Sequence, residues 1–253
     1  MYELTLTVIF GLCWGSFLSV VKNRLDNLGT VLVGRSRCPK CKKTLGLLDL
    51  IPLVSFISSR GRCRYCKKKI SFEYPALEIV TALLALLVVW QFGLNLASVV
   101  LFLSISLLIV ASFADISFKE VALWIFVSGI VLAIVWRILL QSNLDGLRNI
   151  VFSAVAAATI PFLMYIISHE RWMGLGDAFF ALWAGILAGY PAALIAIFSA
   201  FLLGGIYGII LLVVKGKKTE RKIAFGPFLG LGGAIGLFLG IQIIDYYLKI
   251  IGL

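Results

Sequence analysis

The chain has 253 residues, 61% of them hydrophobic and 14% charged, with a formal net charge of +11 and a mean hydropathy of +1.06. A soluble fold of this length cannot bury so much apolar surface, because soluble domains run nearer about a quarter charged, so the composition excludes an ordinary soluble domain and points to a membrane protein. The positive charge is accounted for by membrane topology and anionic lipid, and nucleic acid is not expected as a partner.

A bilayer-spanning helix needs about 20 mostly apolar residues, and eight stretches qualify: roughly 3–21, 76–91, 96–114, 121–140, 147–168, 174–189, 192–214 and 226–248. The expected fold is an all-α polytopic membrane protein with about eight transmembrane helices and a small four-cysteine insertion after the first. The division expected is a first helix at 1–21, a cytoplasmic zinc-binding loop at 22–75 and a seven-helix membrane domain at 76–253. The first stretch lacks the basic flank and small-residue cleavage site of a signal peptide and reads as a retained helix. Its Cys13 reads as a packed small residue.

The loop after it contains "SRCPKCKKTLGLLDLIPLVSFISSRGRCRYC", in which 21 residues separate Cys38-x-x-Cys41 from Cys63-x-x-Cys66. Two such knuckles supply four thiolates for a tetrahedral zinc ion, and a site that uses four protein ligands is structural rather than catalytic. Disulfides and plain thiols are the alternatives, and the expected cytoplasmic location, where thiols are kept reduced, counts against both. The apolar run "LLDLIPLVSFI" between the knuckles is too short to cross a bilayer and is expected to pack on the membrane face or against helices.

Four acids then fall at helix edges, where an ionisable group incurs desolvation and normally implies a role: Glu78, Asp115, Asp177 and Asp245. Asp115 ends the third helix and Asp177 begins the sixth, so the two are expected on one side at similar depth. Carboxyl groups brought together cannot both ionise easily; the charged one can take a proton from water while the protonated one polarises a peptide carbonyl. Such a pair titrates as a unit, and separate roles are not assigned. Each acid also has a local explanation, Asp177 capping the N-terminus of the sixth helix after a turn supplied by Gly174 and Gly176, Asp115 as a partner of Lys119. His169, the single histidine, has no Ser or Cys at matched depth. The small residues Gly226 and Gly230, and Gly232, Gly236 and Gly240, read as close helix packing.

Loops 22–75, 115–120, 169–173 and 215–225 hold 20 of the 23 Lys and Arg residues. The positive-inside rule makes that set cytoplasmic and both termini outward. Arg137, Arg148 and Lys249 are the exceptions.

At these residues the chain resembles the type IV prepilin peptidases, membrane aspartyl proteases named for a Gly-x-Gly-Asp motif, here Gly174-Leu-Gly176-Asp177. The resemblance runs nearly the whole chain: "GLCWGSFLSVVKNRL" at the start, with Ser19 where Asn is usual, the cysteine loop, "ISFEYPALEIVTALLAL" and the late "FGPFLGLGG". It implies an inner-membrane endopeptidase that removes the basic leader of type IV prepilin or pseudopilin precursors at the cytoplasmic face. Many members also methylate the new N-terminus with S-adenosylmethionine. Asp115 and Asp177 carry over as the catalytic pair, the four cysteines as zinc ligands, and Glu78 as an acid connected with methylation or substrate handling. Departures are Phe179 where the family often has Lys, Val121-Ala-Leu123 where Ile-Pro-Asn or Ile-Pro-Asp is usual, and Ala224 in place of proline. The competing expectation is a non-enzymatic transporter or pilus-assembly scaffold with a zinc-stabilised docking loop. The oligomeric state is not legible.

Overall fold

A computed structural model describes residues 2–25, 29, 34–215 and 223–252. Part of the loop at 22–75, and residues 216–222 with most of the late basic stretch, lie outside the described residues. Helix α1 spans Tyr2–Asn23, a short α2 Val54–Ser58, α3 Glu73–Phe92, α4 Leu96–Phe118, α5 Leu123–Leu140, α6 Leu144–Ser168, α7 Leu175–Ala188, α8 Ala192–Lys215 and α9 Gly226–Ile251. Among the described residues extended pairing is limited to two isolated bridges, Arg37 with Thr44 and Arg62 with Lys69.

Every expected membrane helix is present, and seven are long and apolar enough to span a bilayer. The sixth, α7, has 14 residues and is about 21 Å long, short of the roughly 30 Å hydrocarbon layer. Its wall explains how it tolerates this: Ala181, Trp183 and Ala184 are completely buried.

The chain forms two compact units, Met1–Ser98 and Val99–Leu253. In the first, α1 and α3 run antiparallel with their backbones nearly touching. A methyl group on Gly11 would stand 2.6 Å from the Cα of Ala82, and one on Gly15 would stand 2.7 Å from the Cα of Glu78. Gly11 and Gly15 form a G-x-x-x-G stripe, the spacing that lets apolar helices approach without bulky side chains between them. At the open end of this hairpin the buried Lys22 pairs with Glu73, and the Asn23 amide donates to the Tyr74 hydroxyl at 3.2 Å.

In the second unit α7 is the hub. The Trp183 indole N–H donates to Ser104 Oγ at 3.0 Å, and that hydroxyl donates to the Gly129 carbonyl at 2.8 Å, so one chain of bonds ties α7, α4 and α5. The Trp183 ring occupies the space that a side chain at 129 would need. Gly185 lies on Ser153 and Ala157 of α6, and Gly233 lies on Ala184. Gly232, Gly236 and Gly240 face Ala192, Ala196 and Ala200 of α8, the packing expected of them. Arg137 is half-desolvated at the end of α5, where Nη2 donates to Asn149 Oδ1 at 2.6 Å and the Asn149 amide donates to the Tyr190 carbonyl at 2.8 Å. This cation departs from the loop charge pattern because it closes a polar network between helix ends.

Candidate active site and metal centre

Asp115 lies in the last turn of α4, beside the fully buried Val110, Ala111 and Ala114. Its Oδ2 accepts the Gly226 N–H at 2.9 Å. Gly226 opens α9, where backbone N–H groups have no intrahelical acceptor and the helix dipole favours a negative partner. A side chain at 226 would begin 2.7 Å from this same carboxylate oxygen and 2.7 Å from the Phe180 ring, so the bond exists because the residue is glycine.

Asp177 is the third residue of α7. Its Oδ2 accepts the Gly174 N–H at 3.0 Å, and its own N–H donates to the Gly174 carbonyl at 3.1 Å, a reciprocal cap of the kind anticipated from the sequence. Capping occupies one oxygen. Among the described residues neither aspartate has a protein partner on Oδ1.

The two acids, 62 positions apart in sequence, belong to one corner of the second unit. Gly226 touches the Asp115 carboxylate and Phe180, one turn beyond Asp177, and the two aspartates are close enough for their charges to interact. Phe126 of α5 walls this corner, with its ring centroid 5.7 Å from Phe179 and 5.0 Å from Phe180. Phe179, standing where a lysine is often found, therefore adds an apolar ring beside the acids. Asp245 is exposed and lies 19 residues along α9 from Gly226, about 28 Å away along the axis, so it takes no part.

Glu78 belongs to the first unit. It is buried, and one oxygen accepts the Leu53 N–H at 2.9 Å. Leu53 carries a φ of +58°, a region costly for a branched side chain. The carboxylate thus fastens a strained turn of the cysteine loop to α3.

The two cysteine knuckles repeat one local design. Lys42 N–H donates to the Cys38 carbonyl at 2.8 Å and Lys67 N–H to the Cys63 carbonyl at 2.9 Å, while Cys38 and Cys63 donate to the Lys43 and Lys68 carbonyls. Lys42 and Lys67 have φ of +58° and +59°, which turns each knuckle back on itself. All four sulfurs lie within 4.8 Å of one another, and Cys38 and Cys66 are 3.9 Å apart. A disulfide needs about 2.05 Å, whereas a tetrahedral ion with Zn–S of about 2.3 Å sets sulfurs about 3.8 Å apart, so the cluster fits a zinc ion. The Cys41 N–H, aided by that of Lys40 against the opposing effect of burial, brings the Cys38 thiol down to about 7. At Cys66 the Lys68 N–H pulls downward, but burial and the neighbouring sulfurs outweigh it and push the thiol up to about 11. Four thiols this close cannot all ionise without a cation among them.

Sequence reasoning missed Gly226 as a partner of Asp115, grouping it with the packing glycines; "FGPF" was the available signal. It also missed the pairing of the buried Lys22 with Glu73, both of which looked like loop residues.

Comparison with known proteins agrees with this division. The Bacterial Peptidase A24 N-terminal domain family matches residues 9–92 and the Type IV leader peptidase family matches residues 101–209. The chain is similar to the prepilin leader peptidase/N-methyltransferase of Bacillus subtilis (strain 168), at 31% identity over 97% of this chain and 98% of the relative. It is also similar to proteins of that name from Pseudomonas aeruginosa, at 28% identity over 97% and 93%, and Aeromonas salmonicida, at 29% over 98% and 94%. No solved structure matches it. A relative so similar over almost its entire length, with both halves matched by family models, establishes that the chain belongs to the type IV leader peptidase family.

Proposed function

We propose that the protein is a membrane aspartyl endopeptidase that removes the basic leader of a type IV prepilin or pseudopilin precursor, with Asp115 and Asp177 as its catalytic pair. The observation that carries the assignment is the shared corner of the two acids. Each is held by one backbone N–H through Oδ2 and keeps Oδ1 for a water or a substrate carbonyl. The names of the relatives supply the substrate class.

In this reading the ionised carboxylate takes a proton from a water, whose oxygen bonds to the scissile carbonyl carbon. The protonated carboxyl gives its proton toward the carbonyl oxygen, and the C–N bond then breaks as the departing amine is protonated. The aromatic wall of Phe126, Phe179 and Phe180 favours the apolar segment of a precursor over bulk water. Glu78 holds the zinc loop through the Leu53 N–H. Zinc on Cys38, Cys41, Cys63 and Cys66 is structural. The concentration of 20 of 23 cations in one loop set supports a cytoplasmic zinc loop, cytoplasmic acids and outward termini in the inner membrane. Methylation of the new terminus is a second activity carried by the relatives' names, with S-adenosylmethionine as the methyl source; no residue is assigned to it.

The test is leader removal from a co-expressed cognate precursor in membranes, read by gel shift and product mass. Wild type cleaves, while Asp115→Asn and Asp177→Asn, folded and inserted, lose activity by about 1,000-fold or more. Cleavage retained by either variant overturns the pair. The product mass reports methylation in the same sample.

A further inference from the structure

Beside the cysteine cluster lies a cavity of about 560 Å³ lined by Arg60, Arg62, Arg64, Lys67, Ser58 and Ser59. Of its cations Arg64 is paired with Asp49 at 3.3 Å. Arg60, Arg62 and Lys67 have no carboxylate partner among the described residues. Three cations on one concavity suit a phosphate group, which offers several strong acceptor oxygens; the Ser58 and Ser59 hydroxyls donate instead to the Ser55 and Phe56 carbonyls.

The surroundings say which phosphate. Ser58, Ser59 and Arg60 of the cavity follow Ile57 directly in the chain, so the cavity adjoins the end of the apolar run through residues 47–57. That run is turned outward: Leu47 is 87% exposed, Ile57 73%, and Phe72, against which Phe56 packs edge-on, 69%. Among the described residues neither burial nor a partner in this unit explains such large apolar side chains on a basic module. Their depth does. Leu53 is bonded to Glu78, five residues into the apolar α3 and about 8 Å beyond its first residue. Within this unit the apolar run therefore lies alongside the first turns of a membrane helix, at the level where hydrocarbon gives way to headgroups. Apolar side chains inserted to that depth with cations above them are the pattern of an interfacial anchor on anionic lipid.

The geometry points to a binding site for an anionic phospholipid, with its phosphate in the Arg60–Arg62–Lys67 cavity and its acyl chains against Leu47, Leu48, Val54 and Ile57. The zinc cluster stiffens both knuckles and so holds the cations in a fixed array. This site goes beyond leader cleavage and does not depend on the aspartate chemistry.

The experiment is native mass spectrometry of the full-length, zinc-loaded chain in detergent with added phosphatidylglycerol or phosphatidylcholine, a readout independent of cleavage. Phosphatidylglycerol is retained in preference, and R60Q/R62Q/K67Q weakens retention roughly tenfold or more while the zinc count stays unchanged. R60K/R62K, which keeps the charge, retains lipid and guards against a folding artefact. L47S/I57S weakens phosphatidylglycerol but leaves binding of water-soluble glycerophosphoglycerol unaltered, as expected if acyl chains contribute. Equal retention by wild type and the triple glutamine variant overturns the proposal. Displacement of the lipid by inorganic phosphate at matched concentration makes the cavity a free-anion site and also overturns it; displacement by an acidic peptide makes it a protein-docking surface, with the same consequence.

Discussion

Gly226 and Glu78 show how much a single residue decides here. The Gly226 N–H orients the Asp115 carboxylate, and a methyl group there would collide with both that oxygen and Phe180. Gly226→Ala is therefore expected to lower leader cleavage by about 100-fold, the effect of a misplacement on the order of 1 Å at a reacting group, while costing only about 1–3 kcal/mol of stability. Parallel measurement of cleavage rate and thermal unfolding in detergent separates the two; unimpaired cleavage would mean that Asp115 needs no such bond. Glu78 has the opposite character. Glu78→Ala removes the acceptor from the Leu53 N–H and should raise hydrogen exchange across 50–57, whereas Glu78→Gln keeps a carbonyl acceptor and much of the protection. Equal exchange in both variants would show that Glu78 does not fasten the loop. The aspartates themselves were legible in the sequence because a charge at a membrane edge is costly. Gly226 was not, since nothing in a glycine's spacing separates close packing from a backbone donor aimed at a distant carboxylate.

At the level of the element, the helices were legible almost to their ends, because the same apolar lengths that suit a bilayer define them. What composition could not say is that α7 is short and enclosed. It was expected at 174–189 as one more bilayer-spanning helix, yet Ala181, Trp183 and Ala184 are completely buried, and only the packing of its neighbours makes a 14-residue helix tolerable. The pairing of α1 with α3 is another such case. Gly11 and Gly15 lie against backbone atoms of α3, which cannot move aside as a flexible side chain can. Gly15→Val should separate the helices, at a cost of about 1–3 kcal/mol or more, and increase proteolysis of the cysteine loop that bridges them. An unchanged unfolding temperature together with an intact loop would contradict the contact seen between these helices.

For the whole molecule, the proposed zinc loop and the membrane helices should respond differently to chelation and acid. Removing zinc is expected to expose residues 34–72 to protease with little loss of helical circular dichroism. The Cys38 thiol is lowered to about 7, so its thiolate is present above that pH and is lost as pH falls through it; metal ligation, which requires thiolate, weakens on acidification. Thiolate-to-cobalt absorption of the cobalt-substituted protein, followed from pH 8 down to about 5, reads this directly, and absence of that absorption at pH 8 would exclude thiolate ligation.

The sequence alone determined the membrane class and the apolar helices, and it singled out the four cysteines as candidate metal ligands and the two acids as a candidate pair, since each follows from local composition or spacing: apolar length, paired Cys-x-x-Cys, a carboxylate where solvation is poor. Tertiary structure alone decided which backbone N–H holds each acid, that Glu78 grips the cysteine loop, and that Arg60, Arg62 and Lys67 converge beside an outward apolar run. Those are relations between residues distant in the chain or turned by local backbone geometry, and packing, rather than periodicity, creates them.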